Sequence, residues 1–187
     1  MNTNITDSKQ IMTAVDQWLD QVVIGLNLCP FALKPYKNKQ IRLTVSACEQ
    51  EDCLLQDVEE EFKKLETTDA KELETTLLII PNMLNDFYDY NQFLDYVDAL
   101  IQANEWEGIF QVATFHPDYQ FAGTLPQDAE NLTNRSPFPI LHLLREESLE
   151  KAITRYPHPE QIPENNIDAV RQLSPEQKAQ LFPYLFN

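Results

Sequence analysis

The chain is poor in glycine, histidine, cysteine and positive charge, and it has no long apolar run. It holds three glycines in 187 residues, where average usage would give about 13. Gly25, Gly108 and Gly123 are therefore expected where the backbone turns with positive φ or is closely approached. Three cysteines, an odd number in a chain long enough to fold on its own core, do not suggest a disulfide framework and are read as reduced thiols. Lys and Arg number 14 against 30 Asp and Glu, a formal net charge of −16. A field of that sign repels phosphate backbones and anionic head groups, which argues against nucleic acid and membrane as partners. No basic run is longer than Lys63-Lys64. No apolar run reaches the ~18 residues of a membrane span, and residues 1–10 show no basic stretch leading into an apolar one. The expectation is a cytoplasmic protein, for which the acceptor triplet Asn131-Leu132-Thr133 has no consequence.

What is present is a chain of single-domain size that buries roughly 70% of its unfolded surface on folding. Ile11, Val15, Trp18, Leu19, Val22 and Val23 recur at helical spacing up to Gly25. Ile41, Leu43 and Val45 alternate with polar residues as a strand does, and TTLLIIPN reads as a strand covered on both faces. Helices are expected over Leu54 to Leu65 and Asp86 to Ala103, strands over Ile109 to Phe115 and Ile140 to Arg145, and a helix over Glu147 to Tyr156. Residues 8–156 form the expected core, and 157–187 a proline-rich tail of short helices wrapping it, with a capping box at Ser174 and Gln177. The order predicts a single α/β domain: a four-stranded, mostly parallel sheet with one antiparallel strand, possible in the thioredoxin-like order α-βαβαββα.

Ligands of such sheets bind beyond the carboxyl ends of the strands, here Ala47-Cys48, Pro81-Asn82 and His116-Pro117-Asp118. An antiparallel fourth strand brings Asn134, Arg135 and Ser136 to the same edge, while Arg145 and Glu146 go to the opposite one, where an ion pair is expected. Between them runs a loop of about 22 residues, 117–138, longer than structureless connections usually are. His116, an exposed imidazole fixed by Pro117, suits a general base or a metal ligand, or equally a loop-anchoring hydrogen bond. Asp118 would orient it or act as a second carboxylate. Arg135 suits a bidentate clamp for a carboxylate or phosphate, or a salt bridge to Asp118, Asp128 or Glu130. Asn82, Asn134 and Ser136 complete the candidate binding set. His142, between Leu141 and Leu143, reads as a core histidine. His116 and Asp118, with His142 or Glu146, would make a weakly spaced metal set, so no metal is expected. Cys29 is a nucleophile only if His116 lies near it, and otherwise a buried structural thiol. Cys48 and Cys53 lie among carboxylates that raise a thiol pKa, which disfavours reactive roles.

The segments VIGLNLCPFA, TFHPDYQFAGT and NRSPFPILHLLREES, in this order and spacing, resemble a bacterial family known as domain of unknown function number 1415. The resemblance implies a bacterial single-domain protein and supplies no catalytic residue and no cofactor. The residues themselves lead to a small-molecule enzyme or binding protein that accepts a small anionic metabolite at the carboxyl edge. The alternatives are a non-catalytic protein-interaction module with an unidentified protein partner, or a His/Asp metal-binding protein.

Overall fold

A computed structural model describes residues 8–186. Most of the amino-terminal stretch read for a leader, and the last residue of the expected tail, lie outside them. The elements run α1 (Ser8–Trp18), a π-helical turn (Leu19–Ile24), α2 (Leu33–Lys37), β1 (Ile41–Val45), α3 (Glu51–Thr67), β2 (Thr75–Ile79), α4 (Phe87–Ala103) and β3 (Phe110–Phe115). A 3-10 helix (Ala129–Asn134), β4 (Ile140–Arg145), α5 (Glu146–Arg155), a second 3-10 turn (Pro159–Gln161), α6 (Ile162–Arg171) and α7 (Pro175–Leu181) follow. α2 is not among the expected elements, being a single short turn, whereas α6 and α7 are the short helices expected of the tail. Asp86 caps α4 through the N–H groups of Tyr88 and Asp89, and the box at Ser174 and Gln177 starts α7. No described helix is long and apolar enough to cross a membrane.

The α/β class and the four strands are as expected, but the sheet is not mostly parallel in its pairings. Its order is β1-β2-β4-β3. β1 and β2 pair parallel, whereas β4 pairs antiparallel with both β2 and β3. Three strands do share one direction, yet β4 lies between two of them and turns both its contacts antiparallel. The reason lies in ILHLLR, whose successive residues Ile140 and Leu141 are both fully buried. A strand apolar on both faces belongs in the interior of a sheet. The thioredoxin-like order is not confirmed by this arrangement.

Alternation along the strands divides the interior into two cores. On the first face Leu78, Ile80, Leu141 and Leu143 meet Leu54, Val58 and Phe62 of α3 and Tyr90, Phe93 and Val97 of α4. On the second face Leu77, Ile79 and Ile140 meet Ile11, Val15, Trp18 and Leu19, together with Val170 and Phe182 from the carboxyl-terminal segment. Gly25 has φ −61 and needs no left-handed geometry; a Cβ there would lie 2.2 Å from the Gln21 carbonyl oxygen, so the π-helical turn leaves room only for hydrogen. Gly108, by contrast, takes φ +76 at the turn into β3.

The expected reduced state of all cysteines is corrected for two of them. Cys48 and Cys53 are joined by a disulfide, with Cα atoms 5.7 Å apart, inside the bridging range. The turn from β1 into α3 brings the two together, a local geometry that an odd cysteine count does not convey. Cys29 remains free.

Candidate functional site

The carboxyl edge gathers most of the expected residues, but their polar atoms are engaged by backbone. His116 is fully buried rather than exposed, its ring 5.2 Å from that of Phe87 and 5.1 Å from that of Tyr90. Its Nδ1 accepts the Asp118 N–H (2.9 Å), so Nε2 carries the proton and donates it to the Leu84 carbonyl (3.0 Å). That carbonyl belongs to a residue held at φ +56. Burial lowers the His116 pKa, against the opposing pull of the Leu84 carbonyl and of Asp118 and Asp86. Arg135 forms none of the expected salt bridges: Nε donates to the Tyr119 carbonyl (3.2 Å) and Nη2 to that of Pro126 (2.8 Å). Glu130 pairs instead with Arg171. Asn134 donates to the Thr114 carbonyl (3.1 Å), and the buried Ser136 hydroxyl to that of Phe138 (2.5 Å). Asn82 is exposed and reaches the Ala47 carbonyl at 3.4 Å. Asp118 itself is exposed.

Sequence reasoning passed over Asn131, which holds the centre of the long loop. It is fully buried, accepts from the Phe121 N–H and the Thr124 hydroxyl, and donates to the Leu125 carbonyl (3.0, 2.9 and 2.8 Å). At the opposite edge, Arg145 is not paired with Glu146. It donates to the carbonyls of Leu65, Thr68 and Leu73, closing the end of α3 onto the sheet.

Strand alternation also separates Cys29 from His116. Phe115 points to the second face, where its ring meets Trp18 at 5.1 Å, and His116 points to the first. Cys29 belongs to the second face, so the pairing that would activate it does not form. Among the described residues no three His, Cys, Asp or Glu side chains are grouped to hold a metal ion.

On that second face lies a cavity of about 720 Å³. Its floor is Leu77, Ala113, Phe115 and His142, and one wall is the Cys29-Pro30-Phe31-Ala32 turn. Leu149 and Ala152 of α5 form the opposite wall, and Thr75, Ile41 and Arg145 place it toward the amino ends of the parallel strands. The turn and α5 meet through an edge-to-face contact of Phe31 with Tyr156 at 5.5 Å. α5 has no buried residue although it is amphipathic. Its apolar side faces this space instead of a filled core.

His142 Nε2 is buried and has no hydrogen-bond partner, and burial holds the imidazole neutral with its pKa pushed down to about 4. Burial likewise raises the Cys29 thiol, against the N–H groups of Phe31 and Ala32. Five cations, Lys34, Lys71, Arg145, Lys151 and Arg155, line the cavity against one carboxylate, Glu74; of these Arg145 is held by the three carbonyls named above and Lys151 pairs with Glu147. A second cavity of about 440 Å³ lies beside β1, between Asp16, Tyr36 and Lys39. Neither cavity is lined by His116, Asp118, Asn134, Arg135 or Ser136.

A sequence profile described as "Protein of unknown function (DUF1415)" matches residues 10–180. The chain belongs to the DUF1415 family. No curated protein and no solved structure matches it. Of the three segments that carry the resemblance, VIGLNLCPFA ends in the turn that walls the larger cavity of this DUF1415 chain. TFHPDYQFAGT holds most of β3's end and the start of the pinned loop, and NRSPFPILHLLREES supplies Asn134, Arg135, His142 and the first turn of α5.

Proposed function

We propose that this DUF1415 protein binds a small anion with a largely apolar body, and that it does so in the second-face cavity rather than at the carboxyl edge. The observation that carries the reading is the lining itself, an apolar floor of Leu77, Ala113 and Phe115 with Lys34, Lys71 and Arg155 against one carboxylate, Glu74. The apolar floor takes a hydrocarbon or aromatic body, and the cationic rim takes a carboxylate or phosphate. The rim is a local exception in a chain of net charge −16, and more distant carboxylates are screened over about 8 Å at physiological salt. Binding rather than covalent catalysis fits the cavity, since burial keeps Cys29 a thiol.

Thermal unfolding with decanoate, phenyl phosphate and indole acetate tests this. An acid that saturates the cavity at 100 times its Kd stabilises the fold by about 2.7 kcal/mol. The shift should be lost in the double variant Lys34→Glu, Arg155→Glu, be weaker with decanol than with decanoate, and persist in Arg135→Ala. Dependence on Arg135 alone would return the site to the carboxyl edge, and no shift with any acid of the panel would remove the reading.

A second reading, a non-catalytic interaction module, is favoured by the way His116 and Arg135 pin the 117–138 loop to backbone carbonyls. Retention of a strongly basic protein partner through the carboxylate-rich faces of α3 and α4 would support it.

A further inference from the structure

The carboxyl edge carries a second set of groups that the ligand cavity does not use. β1 ends at Val45, and Ser46, Ala47 and Cys48 lead into α3, whose first turn contains Cys53. The two sulfurs of the disulfide differ in access. Cys48 is 6% exposed, while Cys53 is on the surface. Behind the buried sulfur stands Asp57, one turn further along α3, with Oδ2 3.5 Å from Cys48 Sγ. The carboxylate is fixed there by the buried Ser46 hydroxyl, which donates to the same oxygen at 2.6 Å and accepts the Cys48 N–H at 3.2 Å.

We propose that Cys48 and Cys53 form a thiol–disulfide exchange site, with Cys53 the sulfur attacked from solution, Cys48 the leaving sulfur and Asp57 its proton relay. In the first step a thiolate of an external dithiol bonds to Cys53 Sγ, the Cys48–Cys53 bond breaks, and its electron pair goes to Cys48 Sγ. The proton given up by the incoming thiol reaches Cys48 through the Asp57 carboxylate. In the second step the reductant's other thiol, ionised in turn, attacks its own sulfur in the mixed disulfide, and Cys53 leaves as a thiolate and takes up that second proton. Two electrons and two protons pass from the dithiol, which becomes a disulfide, to the two cysteines. In the reverse sequence the two cysteines re-form their bond and a partner disulfide is reduced to the dithiol, with the same two electrons and two protons.

Access fixes the direction of attack, since a thiolate must approach along the S–S axis and only Cys53 is open to it. The amino terminus of α3 favours the negative charge that Cys53 carries when it leaves. Glu49, Glu51 and Asp52 oppose it, and they also repel anionic thiols. The partner chemistry is therefore a neutral or cationic dithiol, either a small molecule or one carried by a protein, and glutathione, with its net negative charge, is a poor match.

The oxidised full-length protein, folded and without denaturant, is incubated with dithiothreitol, quenched with acid, alkylated and read by peptide mass. Cys48 and Cys53 should gain alkyl groups together, the bond should re-form with oxidised dithiothreitol, and glutathione should react more slowly, with the gap narrowing as salt is added. Asp57→Asn should slow reduction by about 100-fold, the low end of what a positioned acid–base group contributes. Reduction that occurs only when the chain unfolds, or an Asp57→Asn rate equal to that of wild type, would overturn the assignment. If Asp57→Asn does not fold, the two single-cysteine variants decide: Cys48→Ser should capture one equivalent of dithiodipyridine at Cys53, and folded Cys53→Ser should leave Cys48 unmodified. The opposite pattern would overturn it equally.

Discussion

His142 leaves β4 toward the second face, where its Nε2 is buried without a hydrogen-bond partner and burial pushes its pKa down to about 4. An unfolded histidine titrates near 6.5, so between these values the unfolded chain binds a proton that the folded chain does not. Stability from this residue is thus fully present above pH 6.5 and falls as the pH drops toward 4, by on the order of 3 kcal/mol in all. Urea unfolding of wild type and His142→Gln across this window isolates the effect from the many carboxylates. The difference between the two should change with this sign, and a flat difference would mean that the imidazole is not buried neutral. The same residue shows how far a strand pattern can be read. Its place between two leucines indicates a buried histidine, but not that its ring borders a cavity while its Nε2 stays unpaired.

At the scale of elements, the long loop between β3 and β4 is held by its ends and its middle, by His116, Arg135 and Asn131. Replacing His116 with Ala leaves the Leu84 carbonyl and the Asp118 N–H unpaired and empties a ring-sized space beside Phe87 and Tyr90. Losses of this kind cost about 2–5 kcal/mol. A fall of that size in the urea midpoint stability of His116→Ala is expected, and an unchanged midpoint would make the residue free for acid–base work. The loop's length was legible as a sign that 117–138 is not filler. Its pinning was not, because the partners are backbone carbonyls, which carry no sequence signature. The walls of the cavity were missed for a related reason. Lys34 lies in a stretch read only as a turn, and Leu149 and Arg155 lie on a helix whose partner the sequence did not name, since nothing of α5 is buried in a filled core.

At the scale of the whole molecule, the carboxyl-terminal segment is part of the second core. Phe182 and Val170 are both fully buried, and Asn166 donates to the Leu28 carbonyl at 2.7 Å, tying α6 to the turn that leads to Cys29. Phe182→Ala should therefore destabilise the fold by about 3–5 kcal/mol, in one unfolding transition followed by both circular dichroism and tryptophan fluorescence. A small effect, or a separate early transition, would mean that the tail packs independently of the sheet.

By itself the sequence determined the α/β class, the four strands, the main helices and the buried character of β2 and β4, because these follow from local periodicity and from which side chains avoid water. It also singled out the stretch around His116 through the scarcity of glycine and histidine. Only the tertiary structure decided that β4 lies between β2 and β3, since an interior position depends on which strands close around it. Alternation at the end of β3, where Phe115 and His116 part to opposite faces, then decided that Cys29 and His116 never meet. The Cys48–Cys53 bond depended on how the chain turns from β1 into α3, and the gathering of five of the chain's few cations around one cavity depended on segments more than a hundred residues apart.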